Sequence, residues 1–211
     1  MTLLDSPLFE LLGAGEGDEE HERVLNAALS AFLDYGIRRT SMGEIAKRSG
    51  LSPATLYRRF TGKDDVVWAV GRREARRLIA FVDAGVDPSA AADEQAVSLL
   101  VGFLNGLRQN LLLNRLLTTE PEVVLPLLTV QAGPVLTLGR DYLAGFIRRL
   151  QEQMQWPVID AEPMAEMVAR VGLSMALTPE TCIPVHDNAA LRLFARQCLA
   201  GVTGHIESPD A

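Results

Sequence analysis

The chain has 211 residues, 48% hydrophobic and 22% charged, ordinary proportions for a globular protein. Aromatics make up only 6%, so a core must rest on Leu, Val and Ala, and no uninterrupted apolar run is long enough to span a bilayer. The formal net charge of −7 argues against a polyanionic partner only until it is divided along the chain. Residues 1–19 carry −5, residues 20–80 carry +5 and residues 81–211 carry −7. A local basic block is what phosphate binding requires, whatever the total.

Residues 1–18 read as a poorly ordered arm, with Gly13, Gly15 and Gly17 alternating before an acidic run. That arm does not resemble a signal peptide, and the expected location is the cytoplasm, with no membrane partner. From there on the pattern is helical. Apolar residues at Val24, Leu25, Ala28, Leu29 and Phe32 recur at helical spacing over 22–35, and Gly36 ends the stripe. Ser41 and Glu44 form a capping box for a short second helix, with Ser41 accepting from the Glu44 amide and Glu44 reaching back. This helix ends at Gly50. Ser52 as N-cap and Pro53 at the first helical position start a third helix that runs to about Phe60. A fourth runs from 63 to about 82, acidic at its start and with an arginine run at 72–77 that reads as a charged helix face. Residues 85–89 form a linker-like break, followed by predicted helices at 91–113, 121–129, 132–155, 160–177 and 187–203. There is neither strand alternation nor an internal repeat. The expected fold is all-α, with an arm over 1–18, a helix-turn-helix domain over 19–82 and a larger helical domain over 83–211.

The informative stretch is 45–60. Two helices meeting at a steep angle need a small residue at their contact, and Ala46 supplies it. They need a turn residue that tolerates positive φ, which Gly50 does without steric cost. They also need a branched apolar residue to lock the second helix onto the first. Leu56 fills that role, supported by Ile45, Leu51 and Phe60. With Leu56 and Phe60 inward, the outer face is Pro53, Ala54, Thr55, Tyr57, Arg58 and Arg59. Such a face suits a DNA major groove, where Thr and Ala meet a thymine methyl and Arg bridges guanine O6 and N7. The alternative is a helical hairpin with an ordinary solvated face.

Residues 22–70 resemble the DNA-binding domain of the TetR/AcrR family of regulators. The resemblance is carried by Ala28, Phe32, Gly36, Thr40-Ser41, Ile45-Ala46, Gly50, Leu51-Ser52, Thr55-Leu56-Tyr57, Phe60 and Lys63. It implies phosphate contacts at Thr40, Tyr57 and Lys63, and base contacts at Pro53, Ala54, Thr55 and Arg58. Arg59 joins the phosphate set. Thr40 has a second reading as a cap for the next helix, and Arg58 and Arg59 are both open to a purely phosphate role.

The resemblance also implies that residues 83–211 bind a ligand and form a homodimer on a palindromic operator. Apolar stripes there fit both tasks. Phe103, Leu107, Tyr142, Phe146 and Met167 are candidate pocket residues, suited to an apolar or amphipathic small molecule whose identity is unknown. Met164, Val168, Val171, Met175, Leu191, Phe194 and Cys198 are candidate dimer contacts. Each set is equally open to a plain core role. The function expected is a ligand-released repressor, the alternative being a DNA-binding regulator that is constitutive or controlled by a protein partner. Enzyme activity is not expected: there is no nucleophile–base pair and no phosphate-cradling glycine loop. No metal and no cofactor are expected either, since Cys182 and Cys198 fit neither a zinc pattern nor a disulfide framework.

Overall fold

The computed structural model describes residues 19–203 apart from 155, 157 and 179, so the expected arm over 1–18 lies outside the described residues. Among the described residues there are ten helices and no strand. They are α1 (Glu19–Tyr35), α2 (Met42–Ser49), α3 (Pro53–Arg59), α4 (Lys63–Ala84), α5 (Ala92–Arg108), α6 (Leu111–Thr119), α7 (Pro121–Leu128), α8 (Gly133–Met154), α9 (Ala161–Leu177) and α10 (Asn188–Thr203). Local chemistry explains the early boundaries. Gly36 and Gly50 both take positive φ, 83° and 72°, and each stops the helix before it. Ser41 Oγ accepts from the Glu44 amide at 3.1 Å, and Ser52 Oγ accepts from the Thr55 amide at 3.1 Å. The capping box at Ser41 is formed on one side: Glu44 Oε1 accepts from Arg48 Nε at 2.8 Å, one turn further along its own helix.

One expected helix is two. The segment 91–113 breaks at Gln109, and Asn110 caps a new helix by accepting from the Leu113 amide at 2.9 Å. Apolar residues continue across the break, so periodicity gave no sign of it.

The chain forms two compact units. The first joins the described part of 1–77 to residues 110–129. This differs from the expected division at 82/83, and the reason is burial. Leu116 and Val124, from α6 and α7, belong to the same core as Val24, Leu25, Phe32, Ile45, Leu56 and Val66. Leu112, Leu113, Leu117, Val123 and Leu128 pack against it. The arginine run also divides. Arg72 and Arg77 are exposed, but Arg73 is buried and donates to the Leu25 carbonyl, Asn26 and Glu22 of α1. Arg73 therefore fastens α4 to α1 and is not part of a solvated face.

The second unit comprises 78–109 and the described part of 130–211. Helices α8 and α9 lie along one another, and α5 packs against α9 and α10. Along α9 the inward positions are Ala161, Ala165, Ala169 and Gly172, small residues that allow close approach. At Gly172 the Phe103 ring occupies the place a side chain would take. Val97, Val101, Leu104, Val185, Leu191 and Ala195 make a core between α5 and α10. Glu94 on α5 pairs with Arg192 and Arg196 on α10 at its edge. Among the described residues no single helix is long and apolar enough to cross a membrane, and no group of three His, Cys, Asp or Glu is placed to hold a metal ion.

Candidate nucleic-acid interface and ligand unit

Helix α3 has seven residues, too short to persist alone, so its geometry comes from its anchors. Leu56 is fully buried and Phe60 nearly so, in the core that also holds Ile45, Ala46 and the buried residues of α1. The α2–α3 turn closes through Leu51 N donating to Ala46 O at 3.1 Å, with Ala46 itself buried. Helix α2 is fixed in turn to α1. Arg48 donates to Asp34 at 2.7 Å and to Ser30 at 2.9 Å, and its guanidinium lies 4.9 Å over the Tyr35 ring. Glu44 and Asp34 hold that guanidinium firmly in its charged form.

This scaffold leaves Pro53, Ala54, Tyr57 and Arg58 exposed together on α3, and Tyr57 is 57% exposed despite its ring. Thr55 is half-buried and its hydroxyl shares a hydrogen bond of 2.9 Å with Ser52 Oγ. The other three candidates bond within their own chain. Thr40 is buried, and its hydroxyl donates to Gly36 O at 2.7 Å and Ala31 O at 3.3 Å, so it braces the α1–α2 loop. Arg59 donates to Glu20 on α1 at 2.6 Å. Lys63 Nζ donates to the carbonyls of Ile37 and Arg38 at 3.0 and 3.2 Å. All three are held by their own chain in this structure.

Sequence reasoning passed over two exposed cations near the turn, Arg39 and Lys47. It also passed over Glu120, whose buried carboxylate accepts from the Ile37 and Arg38 amides. No local pattern marks a partner more than eighty positions away.

In the second unit the pocket candidates divide. Tyr142 and Phe146 are buried on α8, whereas Phe103 and Leu107 are half-buried on α5, with Phe103 against Gly172. Met167 is 48% exposed and lines an open surface groove with Arg140, Glu166, Arg170 and Val171. It is a surface residue, because α9 turns its small side chains inward. The Tyr142 hydroxyl donates to Asp83 at 2.7 Å. Burial pushes the Asp83 carboxyl above its ordinary value, against the lowering effect of Tyr142 and Arg149, and burial together with Asp83 pushes the Tyr142 phenol up.

A carboxyl raised in the folded state gives stability that is present at acid pH and lost as pH rises through its folded value. Asp83→Asn, which keeps an acceptor for Tyr142, is therefore expected to leave stability at pH 8 unchanged or higher. Tyr142→Phe is expected to cost about 1 kcal/mol, more at pH 8 than at about pH 3, because at the higher pH it strands a half-buried carboxylate. Urea unfolding at the two pH values checks both.

The dimer candidates divide likewise. Leu191 is fully buried in its own core, and Met175 and Phe194 pack against the same cluster. Met164 and Val168 are half-buried. Val171 and Cys198 face outward, as do Met167 and Leu193, the last not among the expected contacts. Leu191 is thereby removed as a contact with a second copy, since it has no surface to offer.

A capped helix, a left-handed glycine turn and a second helix with an anchored inner face and an exposed polar outer face define a helix-turn-helix DNA-binding protein. Residues 24–70 match the model of bacterial regulatory proteins of the tetR family, and residues 89–195 match a C-terminal domain of the tetracycline-repressor type. The chain belongs to the TetR family and is a transcriptional regulator. It is 26% identical over 179 residues to an uncharacterized HTH-type transcriptional regulator of Mycobacterium tuberculosis, covering 85% of this chain and 92% of that one. The fold is similar to AlkX, a TetR family repressor from Dietzia sp. implicated in biodegradation of n-alkanes, with TM-score 0.64, 21% identity and coverage of 87% and 97%. It is also similar to FadR, a fatty acid degradation regulator from Bacillus halodurans, with TM-score 0.61, 17% identity and coverage of 86% and 95%. The family and these relatives are regulators, not enzymes.

Proposed function

We propose that this chain acts in the cytoplasm as a homodimeric repressor on a near-palindromic operator, released by a small apolar or amphipathic ligand held in the second unit. The observation that carries the DNA half is the α3 face, where Pro53, Ala54, Tyr57 and Arg58 stand exposed on a helix that Leu56 and Phe60 anchor from behind. Arg58 reads a base, Pro53, Ala54 and Thr55 lie along the groove floor, and Tyr57 takes phosphate. Arg59, Thr40 and Lys63 serve by holding the scaffold.

Arg58→Ala is expected to weaken binding at one position of the site by about 1–3 kcal/mol and to relax the preference there. Competition among single-base variants of the selected site measures this. Equal loss on every sequence would make Arg58 a phosphate contact.

The ligand half is supported by the buried aromatics Tyr142 and Phe146, and by the apolar chemistry named for AlkX and FadR. Release follows from differential affinity: a ligand that favours a dimer whose recognition helices are not one DNA turn apart lowers operator affinity. Titrating the DNA complex with dodecanoate tests the chemical class. Saturable binding with release supports this reading. Neither binding nor release would favour a regulator without a small-molecule inducer.

A further inference from the structure

The segment 110–129 lies far along the sequence from the helix-turn-helix yet belongs to its compact unit. Its apolar residues are in the same core, and its one buried acid, Glu120, stands between α6 and α7 at 7% exposure. Glu120 accepts from the Ile37 amide at 2.6 Å and from the Arg38 amide at 3.1 and 3.3 Å, using both oxygens. These amides follow the end of α1, where no helical ladder satisfies them. On the same two residues Lys63 takes the carbonyls. A carboxylate and an ammonium thus grip opposite sides of one short loop, each through charge-assisted bonds.

Gly36 is fitted to this grip. Its φ is +83°, and a Cβ there would lie 2.6 Å from Glu120 Oε1. Just beyond the gripped residues, Thr40 bonds back to Gly36 and Ala31, and Ser41 then caps α2. The loop therefore fixes where α2 begins, and α2 carries α3 through the Ala46–Leu51 turn. Both ends of 110–129 run directly into the second unit along the chain.

We propose that Glu120 is a positioning residue for operator recognition, through which 110–129 sets the loop 36–40 and with it the helix-turn-helix. The inference rests on the operator-binding reading above.

The test compares wild type, Glu120→Gln and Glu120→Ala on the duplex that wild type selects from random DNA and on a scrambled duplex. Glutamine keeps the volume but presents one acceptor and an amino group to two amides, and alanine removes both acceptors. At a temperature where each variant is folded, Glu120→Gln is expected to lose about tenfold in operator affinity, the equivalent of one charge-assisted hydrogen bond. Binding to the scrambled duplex should be unchanged, and hydrogen exchange at the 37 and 38 amides should quicken. Glu120→Ala should lose more; if it does not fold, the glutamine variant carries the comparison. Folded variants that bind and select DNA as wild type does would overturn the inference and leave Glu120 a stabilising contact. A wild-type protein that selects no sequence would overturn the operator-binding reading, and this inference with it.

Discussion

Leu56→Ala is expected to lower the unfolding free energy by about 2–5 kcal/mol and to abolish DNA binding well below the melting temperature. Leu56 is fully exposed to its neighbours and not at all to solvent, in a core shared by α1, α2, α4, α6 and α7. Truncation leaves a cavity in the core that also holds Ile45, Val24, Leu25 and Val66, one the surrounding helices cannot close fully. The second effect is local. Helix α3 has seven residues, and Leu56 and Phe60 are what hold it against the rest. With Leu56 gone the helix loses its register before the whole unit unfolds. Leu56→Met, which nearly conserves volume, should cost less than about 1.5 kcal/mol and keep binding. Thermal melts beside DNA titrations at 20 °C below the wild-type transition would read both effects.

The second large effect concerns assembly. Replacing Val171 and Leu193 together by arginine is expected to give a folded monomer that has lost operator affinity by about a hundredfold or more. A second tethered recognition helix contributes through effective concentration, which typically multiplies affinity by about 10²–10⁴. Both side chains are more than half exposed, so the substitutions leave the monomer core intact. Sedimentation velocity would give the mass and circular dichroism the fold. A double variant that remains dimeric would place the partner contact on another face. Leu191→Ala is the informative contrast, since it lies two residues from Leu193 but in the interior, and should destabilise the monomer first.

That pair of neighbours shows how far the sequence could be read. Periodicity finds an apolar stripe on a helix, but not whether the stripe meets its own chain or a second copy. On α10 a fully buried leucine, Leu191, and an exposed one, Leu193, are two residues apart. On α9 the inward face is alanine and glycine, so the methionine and valine that draw attention in the sequence are on the outside. The first three helices were legible because their signals are local: Ser41 and Ser52 cap, Pro53 starts, and Gly36 and Gly50 take the left-handed region that stops a helix. Of the six outer positions inferred from Leu56 and Phe60, Pro53, Ala54, Tyr57 and Arg58 are exposed, while Thr55 and Arg59 are half-buried.

Part of what was not legible depends on distant partners. Arg59 sits on the same short helix as Arg58, yet Glu20 draws it back to α1. Thr40 belongs to the motif that resembles a phosphate contact, yet its hydroxyl bonds to carbonyls one helix end away. The break at Asn110 interrupts an apolar run without changing its composition, and Glu120 finds its partners eighty-three and eighty-two positions earlier. For Arg59 and Glu120 the residue type was visible and its direction was set by tertiary packing, whereas Thr40 and Asn110 act through neighbours a few positions away.

The most direct test of the central claim is selection from a pool of random duplex DNA by the purified full chain, sequenced after several rounds at two salt concentrations. A DNA-reading homodimer predicts an enriched near-palindrome whose half-sites lie one helical turn apart, roughly 34–36 Å, and whose enrichment survives at the higher salt. Weak binding with no enriched sequence, lost as salt rises, would mean that the protein meets only phosphates and would contradict base reading by α3.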